Sequence, residues 1–230
     1  MRIEFRLNHS GSPDGCHCFV KRNEFIRYRS FVGSRESKQK MEIIEKNVTL
    51  AECQLSIIEF NKNLHSVEEL TSLLHKSYKE LTDLGLYFLA ATQSVATTLE
   101  RIENGTCLIA LKGGELIGTI CYYPSTQNEV SKWFTRFDVG HFGQFAVDPD
   151  YRRIGLGRLL ISMVEEIAAQ DTKQHLALDT AEKATSLIEY YNRLGFQQVG
   201  YMQWGHYNYR SVVMNKQLMI GFQRMNNSTQ

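Results

Sequence analysis

Arg152-Arg153-Ile154-Gly155-Leu156-Gly157, followed by Arg158, sets two glycines among three arginines directly ahead of an apolar helical repeat. That combination suits an anion. Gly155 and Gly157 remove side-chain bulk, so backbone N–H groups can approach a phosphate, and the following helix offers its free N-terminal N–H groups and positive dipole end. Arg152, Arg153 and Arg158 add charge-assisted donors. The spacing disfavours two common phosphate loops. A dinucleotide fingerprint needs a third glycine where Leu160 stands, and a nucleotide-triphosphate loop needs Gly-Lys-Ser/Thr where Gly157-Arg158-Leu159 stands. Taken alone, the six residues also describe a plain tight connection bearing surface arginines.

Elements on both sides must place this loop. Phe142-Gly143-Gln144-Phe145-Ala146-Val147 reads as a strand ending at Asp148-Pro149, and a helix is expected from about Gly157 to Ala169, apolar at Leu159, Leu160, Met163, Val164 and Ile167. A strand at Leu176–Asp179, a helix at Ala184–Leu194 and strands at Phe196–Tyr201 and Ser211–Met214 follow. Upstream, Leu55–Phe60 suits a first strand. Ser66-Val67-Glu68-Glu69 supplies a capping box for a helix carrying Leu70, Leu73, Leu74, Tyr78 and Leu81. A second helix runs from about Ser94 to Ile102, closed by Asn104-Gly105. Lys112-Gly113-Gly114-Glu115 then joins two apolar strands as a hairpin. Hairpins early and strand-helix-strand units late predict an α/β fold, a mixed sheet with helices on both faces.

A chain of 230 residues allows one well-buried core with an appendage. Its 43% apolar content and formal charge of +1 give no concentrated basic face, so no nucleic-acid partner is expected. The densest apolar stretch, Leu84–Ala91, is too short to span a membrane, and the charged N-terminus does not read as a signal peptide, so a cytoplasmic location is the default expectation. Cys53, Cys107 and Cys121 sit in apolar surroundings as small core residues. Cys16-His17-Cys18 has no second ligand pair, so no metal is expected. Residues 1–45 read as a poorly ordered extension, 46–220 as the functional domain and 221–230 as a polar tail.

Two landmarks in order carry a resemblance. Arg152-Arg153-Ile154-Gly155-Leu156-Gly157 fits Gln/Arg-x-x-Gly-x-Gly/Ala after Val147-Asp148-Pro149, and Tyr191-Asn192-Arg193-Leu194-Gly195-Phe196 fits Tyr-x-x-Leu-Gly-Phe. On these the sequence resembles the GNAT superfamily of N-acetyltransferases over roughly Gln54 to Leu218. The resemblance implies a mostly antiparallel sheet with one parallel, splayed strand pair, and acetyl-CoA as co-substrate. It implies pantetheine against the main chain of Phe145, Ala146 and Val147, and diphosphate within Arg152, Arg153, Ile154, Gly155, Leu156, Gly157 and Arg158.

By the same resemblance, Tyr191 is the acid that returns a proton to the leaving thiolate, since a phenol stays protonated at neutral pH. Tyr190 and Tyr191 lie on different helix faces, so one of them is expected at the cofactor and the other in packing. Where many members carry a cofactor-contacting asparagine, Ala184 stands, with Thr180 and Thr185 as substitutes. A general base is needed because an amine is mostly protonated at neutral pH. Gln144 occupies the strand where several members use a glutamate and cannot titrate. Asp179 and His141 are the nearest candidates, and a water chain is an alternative. The acceptor, an amine of a small molecule or peptide, is expected beside Trp204-Gly205-His206-Tyr207-Asn208-Tyr209-Arg210. A non-catalytic CoA-binding sensor stands as the other reading, and a homodimer is compatible with either.

Overall fold

The computed structural model describes residues 45–125, 131–205 and 208–219. The expectations for the N-terminal extension, the Cys16-His17-Cys18 triplet, His206, Tyr207 and the C-terminal tail lie outside those residues. Eight strands form one sheet: β1 (Glu45–Leu50), β2 (Cys53–Glu59), β3 (Thr106–Lys112), β4 (Glu115–Tyr123), β5 (Val139–Val147), β6 (His175–Ala181), β7 (Gln197–Met202) and β8 (Ser211–Gln217). Their order is β1-β2-β3-β4-β5-β6-β8-β7. Only β5 and β6 run parallel; every other neighbouring pair is antiparallel. Among the described residues four α-helices accompany the sheet: α1 (Val67–Asp83), α2 (Val95–Glu103), α3 (Leu156–Gln170) and α4 (Thr185–Arg193).

Strand alternation assigns helices to opposite faces. On β3, Cys107 and Ile109 pack with Leu70 of α1 and Ile102 of α2, whereas Leu108 and Ala110 pack with Leu156, Leu160 and Val164 of α3 and Tyr191 of α4. The helices on both faces are thus fixed by a period-two pattern. Helix starts follow local chemistry. Ser66 and Ser94 each cap a helix, accepting from the backbone N–H of Glu69 and Thr97 at 3.1 Å. The expected capping box is only half formed: Glu69 donates its backbone N–H to Ser66, and the Ser66 hydroxyl donates to Glu68 at 2.8 Å.

The hairpin turn at Gly113 and Gly114 has φ of 58° and 92°, the two positive values a two-residue turn between twisted strands requires. One strand precedes the expected first one. β1 pairs with β2 from Glu45↔Ile58 to Leu50↔Cys53, so Leu55–Phe60 begins the second strand, not the first.

The feature that shapes the site is where β5 and β6 part. They pair only at Val139↔His175, Gly140↔Leu176 and His141↔Ala177, although β5 continues to Val147 and β6 to Ala181. A bulge opens β5 just there. Its register against β4 shifts between Thr119 and Cys121, and Gln144 takes φ of 48°.

Candidate active site

The loop after β5 is built from α1 as much as from its own residues. Asp148, 6% exposed, accepts from the backbone N–H of Asp150 at 3.0 Å and from Lys76 of α1 at 2.9 Å, fixing the short turn Pro149–Tyr151. Arg152 pairs with Glu80 and donates to the Ser77 carbonyl at 2.8 Å. Its side chain is thereby held to α1. Arg153 and Arg158 are exposed, and Arg153 takes φ of 66°. Gly155, at φ 92°, is the residue from which α3 starts, and no side chain caps that start. The free N–H groups of the first turn of α3 therefore face outward beside the end of β5.

Gly157 sits in the first turn of that helix. A Cβ there would stand 2.9 Å from the Tyr190 hydroxyl and 3.1 Å from Cζ of Phe145. Backbone, helix start and two aromatic rings converge at this point. Phe145 and Val147 are only partly buried, Ala146 and Leu156 are buried, and Ile154 packs on the core rim. The carbonyls of Phe145 and Val147 accept from the Tyr78 and Ser77 hydroxyls of α1 at 3.0 and 3.2 Å.

Tyr191 is buried and Tyr190 half-buried, and the two share one aromatic neighbour. Phe145 lies near both rings, at 6.5 Å from each, stacked on Tyr190 and tilted to Tyr191. Tyr191 is buried among Phe142, Phe145 and Phe196, and its hydroxyl makes no hydrogen bond among the described residues. Burial, reinforced by Tyr78, Tyr190 and Asp179, holds that phenol well above its ordinary range. Ala184 precedes α4 without capping it, and Thr180, buried on β6, has no hydrogen-bond partner among the described residues.

On the opposite side of the opening, Asp179 is half-buried and accepts from Nε1 of Trp204 at 2.8 Å. Burial raises its pKa, against the lowering influence of Trp204 and of nearby Arg101. His141 stacks between Phe134 at 4.5 Å and Tyr123 at 5.2 Å, and burial together with Arg101 lowers its pKa to about 4. It is an embedded neutral ring. Gln144 is also structural: 2% exposed, it accepts from Gln93 at 2.7 Å and so pins the bulge to the segment that leads into α2. The segment after β7 closes the end of the cleft. Tyr209 lies 5.2 Å from Phe88, which lies 5.4 Å from Tyr78, and Asn208 donates to the Gly85 carbonyl at 2.9 Å.

Three residues here were not singled out from sequence. Tyr78 read as one apolar position of a helix, and Gln93 and Arg101 drew no reading. No sequence signal distinguishes them, because what matters is that α1 and α2 cross the opening of β5. Among the described residues, no group of three or more His, Cys, Asp or Glu side chains could hold a metal ion, and no helix is long and apolar enough to cross a membrane.

A parallel strand pair that parts in front of an uncapped helix start defines an α/β protein with a cleft between its strands whose geometry suits an anion. Comparison with known proteins narrows that class. Residues 67–196 match the acetyltransferase (GNAT) family. S-(2-succino)cysteine N-acetyltransferase of Bacillus subtilis (strain 168) is 32% identical over 153 residues, covering 66% of this chain and 90% of that protein. Among solved structures, the GNAT domain of S. lividans PAT is similar with a TM-score of 0.57 at 16% identity, covering 76% of this chain and 97% of that one. A GNAT family acetyltransferase from Elizabethkingia anophelis, solved with acetyl-CoA bound, has a TM-score of 0.52 at 17% identity, covering 71% and 98%. The chain belongs to the acetyltransferase (GNAT) family and is an acyltransferase.

Proposed function

We propose that the protein transfers an acetyl group from acetyl-CoA to a primary amine of a small molecule or peptide by direct attack. The observation that carries this reading is the opening between β5 and β6, which leads to the uncapped start of α3 at Gly155. Residues Arg152 to Arg158 hold the diphosphate through the first-turn N–H groups, with Arg153 and Arg158 supplying charge. The main chain of Phe145 to Val147 lies along the pantetheine arm. The name of the Bacillus relative supports a small amine as acceptor.

The chemistry divides between the two sides of the cleft. Asp179, its pKa raised by burial, takes the proton that the acceptor ammonium must lose, and the free amine attacks the thioester carbonyl carbon. Backbone N–H groups of the splayed strand steady the oxyanion. The C–S bond then breaks, Tyr191, kept protonated by its burial, gives its proton to the departing thiolate, and the second proton on the acylated nitrogen returns to the tyrosinate, leaving the neutral amide.

Titration calorimetry with acetyl-CoA tests the cofactor half. Binding is expected in the parent and a loss on the order of 100-fold in Gly157→Glu, whose carboxylate is set against the diphosphate. No binding by the parent overturns the reading. A thiol-release assay across an amine panel tests transfer: binding of acetyl-CoA without release to any amine refutes it.

A further inference from the structure

Arg101 is the cation that the mechanism leaves unused. It sits half-buried in the last turn of α2, where its Nη1 donates to Oε1 of Gln93 at 2.8 Å. Gln93, 3% exposed, is in turn bonded to Thr98 and to the bulge residue Gln144, both at 2.7 Å. The guanidinium is therefore held in one place by a buried amide network. Its Nη2 hangs over β5, 3.3 Å from where a Cβ on Gly143 would stand. That nitrogen and Nε make no hydrogen bond, and no carboxylate lies within salt-bridge distance of Arg101 among the described residues. A guanidinium carries five donors in a planar fork, of which one is used.

Position gives the free donors a direction. Arg101 lies on the α1 and α2 face of the sheet with His141, Gly143 and Asp179, across β5 from the α3 start. Its charge reaches Asp179, Tyr78 and His141, all on that side. A half-buried cation lacking an anion is costly unless a ligand supplies one. Serving only the C-terminal dipole of α2 would call for a solvated side chain, not one clamped over a glycine.

We infer that Arg101 is a specificity-determining residue that binds a carboxylate of the acceptor, so that the amine acetylated belongs to an amino acid or a similar carboxylate-bearing amine. This rests on the transfer reading above and adds the acceptor class. The Nη2 and Nε edge meets the carboxylate as a two-pronged fork, and the neighbouring amine is thereby set on the Asp179 side of the cleft. A glycine at 143 is what leaves room for the contact.

The test uses the full chain, acetyl-CoA and matched acceptors: α-amino acids, their α-carboxamides, their decarboxylated amines, and an amino sugar phosphate. The parent is expected to favour the acid over its amide in kcat/KM by roughly 10- to 100-fold, the range of a charged hydrogen-bonded contact. In Arg101→Gln that ratio collapses towards one, chiefly through KM for the acid. Arg101→Lys, which keeps the charge but not the fork, restores part of it. An influence exerted only through Asp179 would move the pH profiles of acid and amide together and leave their ratio intact, and that result overturns the inference. So does a parent that accepts acids and amides equally, or one that prefers the phosphate. Thermal unfolding of both variants, with residual turnover of the amide, guards against reading a folding defect as lost specificity. Absence of thiol release with every acceptor overturns the transfer reading itself, a different result from transfer without preference.

Discussion

Gly155 and Gly157 are two residues apart in one motif, yet the structure gives them opposite tasks that a pair of alanine substitutions separates. Gly155 has φ of 92° and open space where a Cβ would go. Alanine there meets no neighbour but carries a left-handed backbone, costing about 1–2 kcal/mol. For a domain of this size that lowers Tm by roughly 2–8 °C. Gly157 is the reverse case. Its backbone is ordinary helix, where alanine gains up to about 1 kcal/mol over glycine. Against that gain, the new methyl would stand 2.9 Å from the Tyr190 hydroxyl and 3.1 Å from Phe145, an overpacking cost of about 1–3 kcal/mol that falls low because Tyr190 is half-buried and can swing outward. The net change in stability is therefore within about 1 kcal/mol, or roughly 2–4 °C. The methyl and the displaced ring, however, intrude on the helix start proposed to receive the diphosphate. Gly157→Ala is expected to weaken acetyl-CoA binding at least about tenfold, a change of about 1.4 kcal/mol, with little change in Tm. Gly155→Ala is expected to lower Tm and weaken binding by less than about threefold. Thermal unfolding and calorimetric titration of both variants decide the matter. If Gly157→Ala binds as the parent does while Gly155→Ala does not, the assignment of the two glycines is refuted.

Asp179→Asn is expected to reduce kcat/KM by about 100-fold or more, as loss of a general base does. Because burial raises the folded pKa of Asp179, the native state binds that proton more tightly than the unfolded chain, so this carboxyl contributes stability at low pH that is lost as pH rises through the folded pKa. Asp179→Asn should accordingly raise Tm relative to the parent at pH 7 and lose that advantage below the ordinary aspartate pKa. An unchanged turnover would transfer the base role to solvent. Tyr191→Phe is expected to lower kcat about tenfold or more with acetyl-CoA affinity preserved. With the Tyr191 phenol held well above its ordinary range, the parent's rate profile should show no tyrosine limb up to about pH 10, and such a limb would show the phenol to be solvated. Gln144→Ala keeps the strained φ of 48° and strips Gln93 of one of its two buried acceptors, costing about 1–3 kcal/mol in a denaturant titration. An unaffected midpoint would mean that the bulge stands without that bond.

Sequence alone made legible whatever is settled locally. The α1 start at Ser66, the Gly113-Gly114 turn and the helical repeat after Gly157 rest on a cap, two positive φ angles and an apolar stripe, each complete within a few residues. β1 escaped because its residues, Glu45 to Leu50, are exposed on alternate positions at a sheet edge, and its turn places Ala51 and Glu52 at φ of 45° and 67° without the glycine or asparagine that announces such a turn. The site divides in the same way. The loop proposed to hold the diphosphate is contiguous, so its residues suggest its chemistry, whereas Tyr78, Gln93 and Arg101 acquire meaning only once α1 and α2 are laid across β5. Gln144 shows how far a single position can mislead. Read as a glutamine where a base was sought, it marked a missing function. In the fold it is the bulge residue whose left-handed backbone opens the strand, and whose amide, through Gln93, fixes the guanidinium of Arg101. The same residue thus shapes the proposed cofactor side of β5 through the backbone and the proposed acceptor side through its side chain, so on this proposal both substrates are positioned from one point in the sheet.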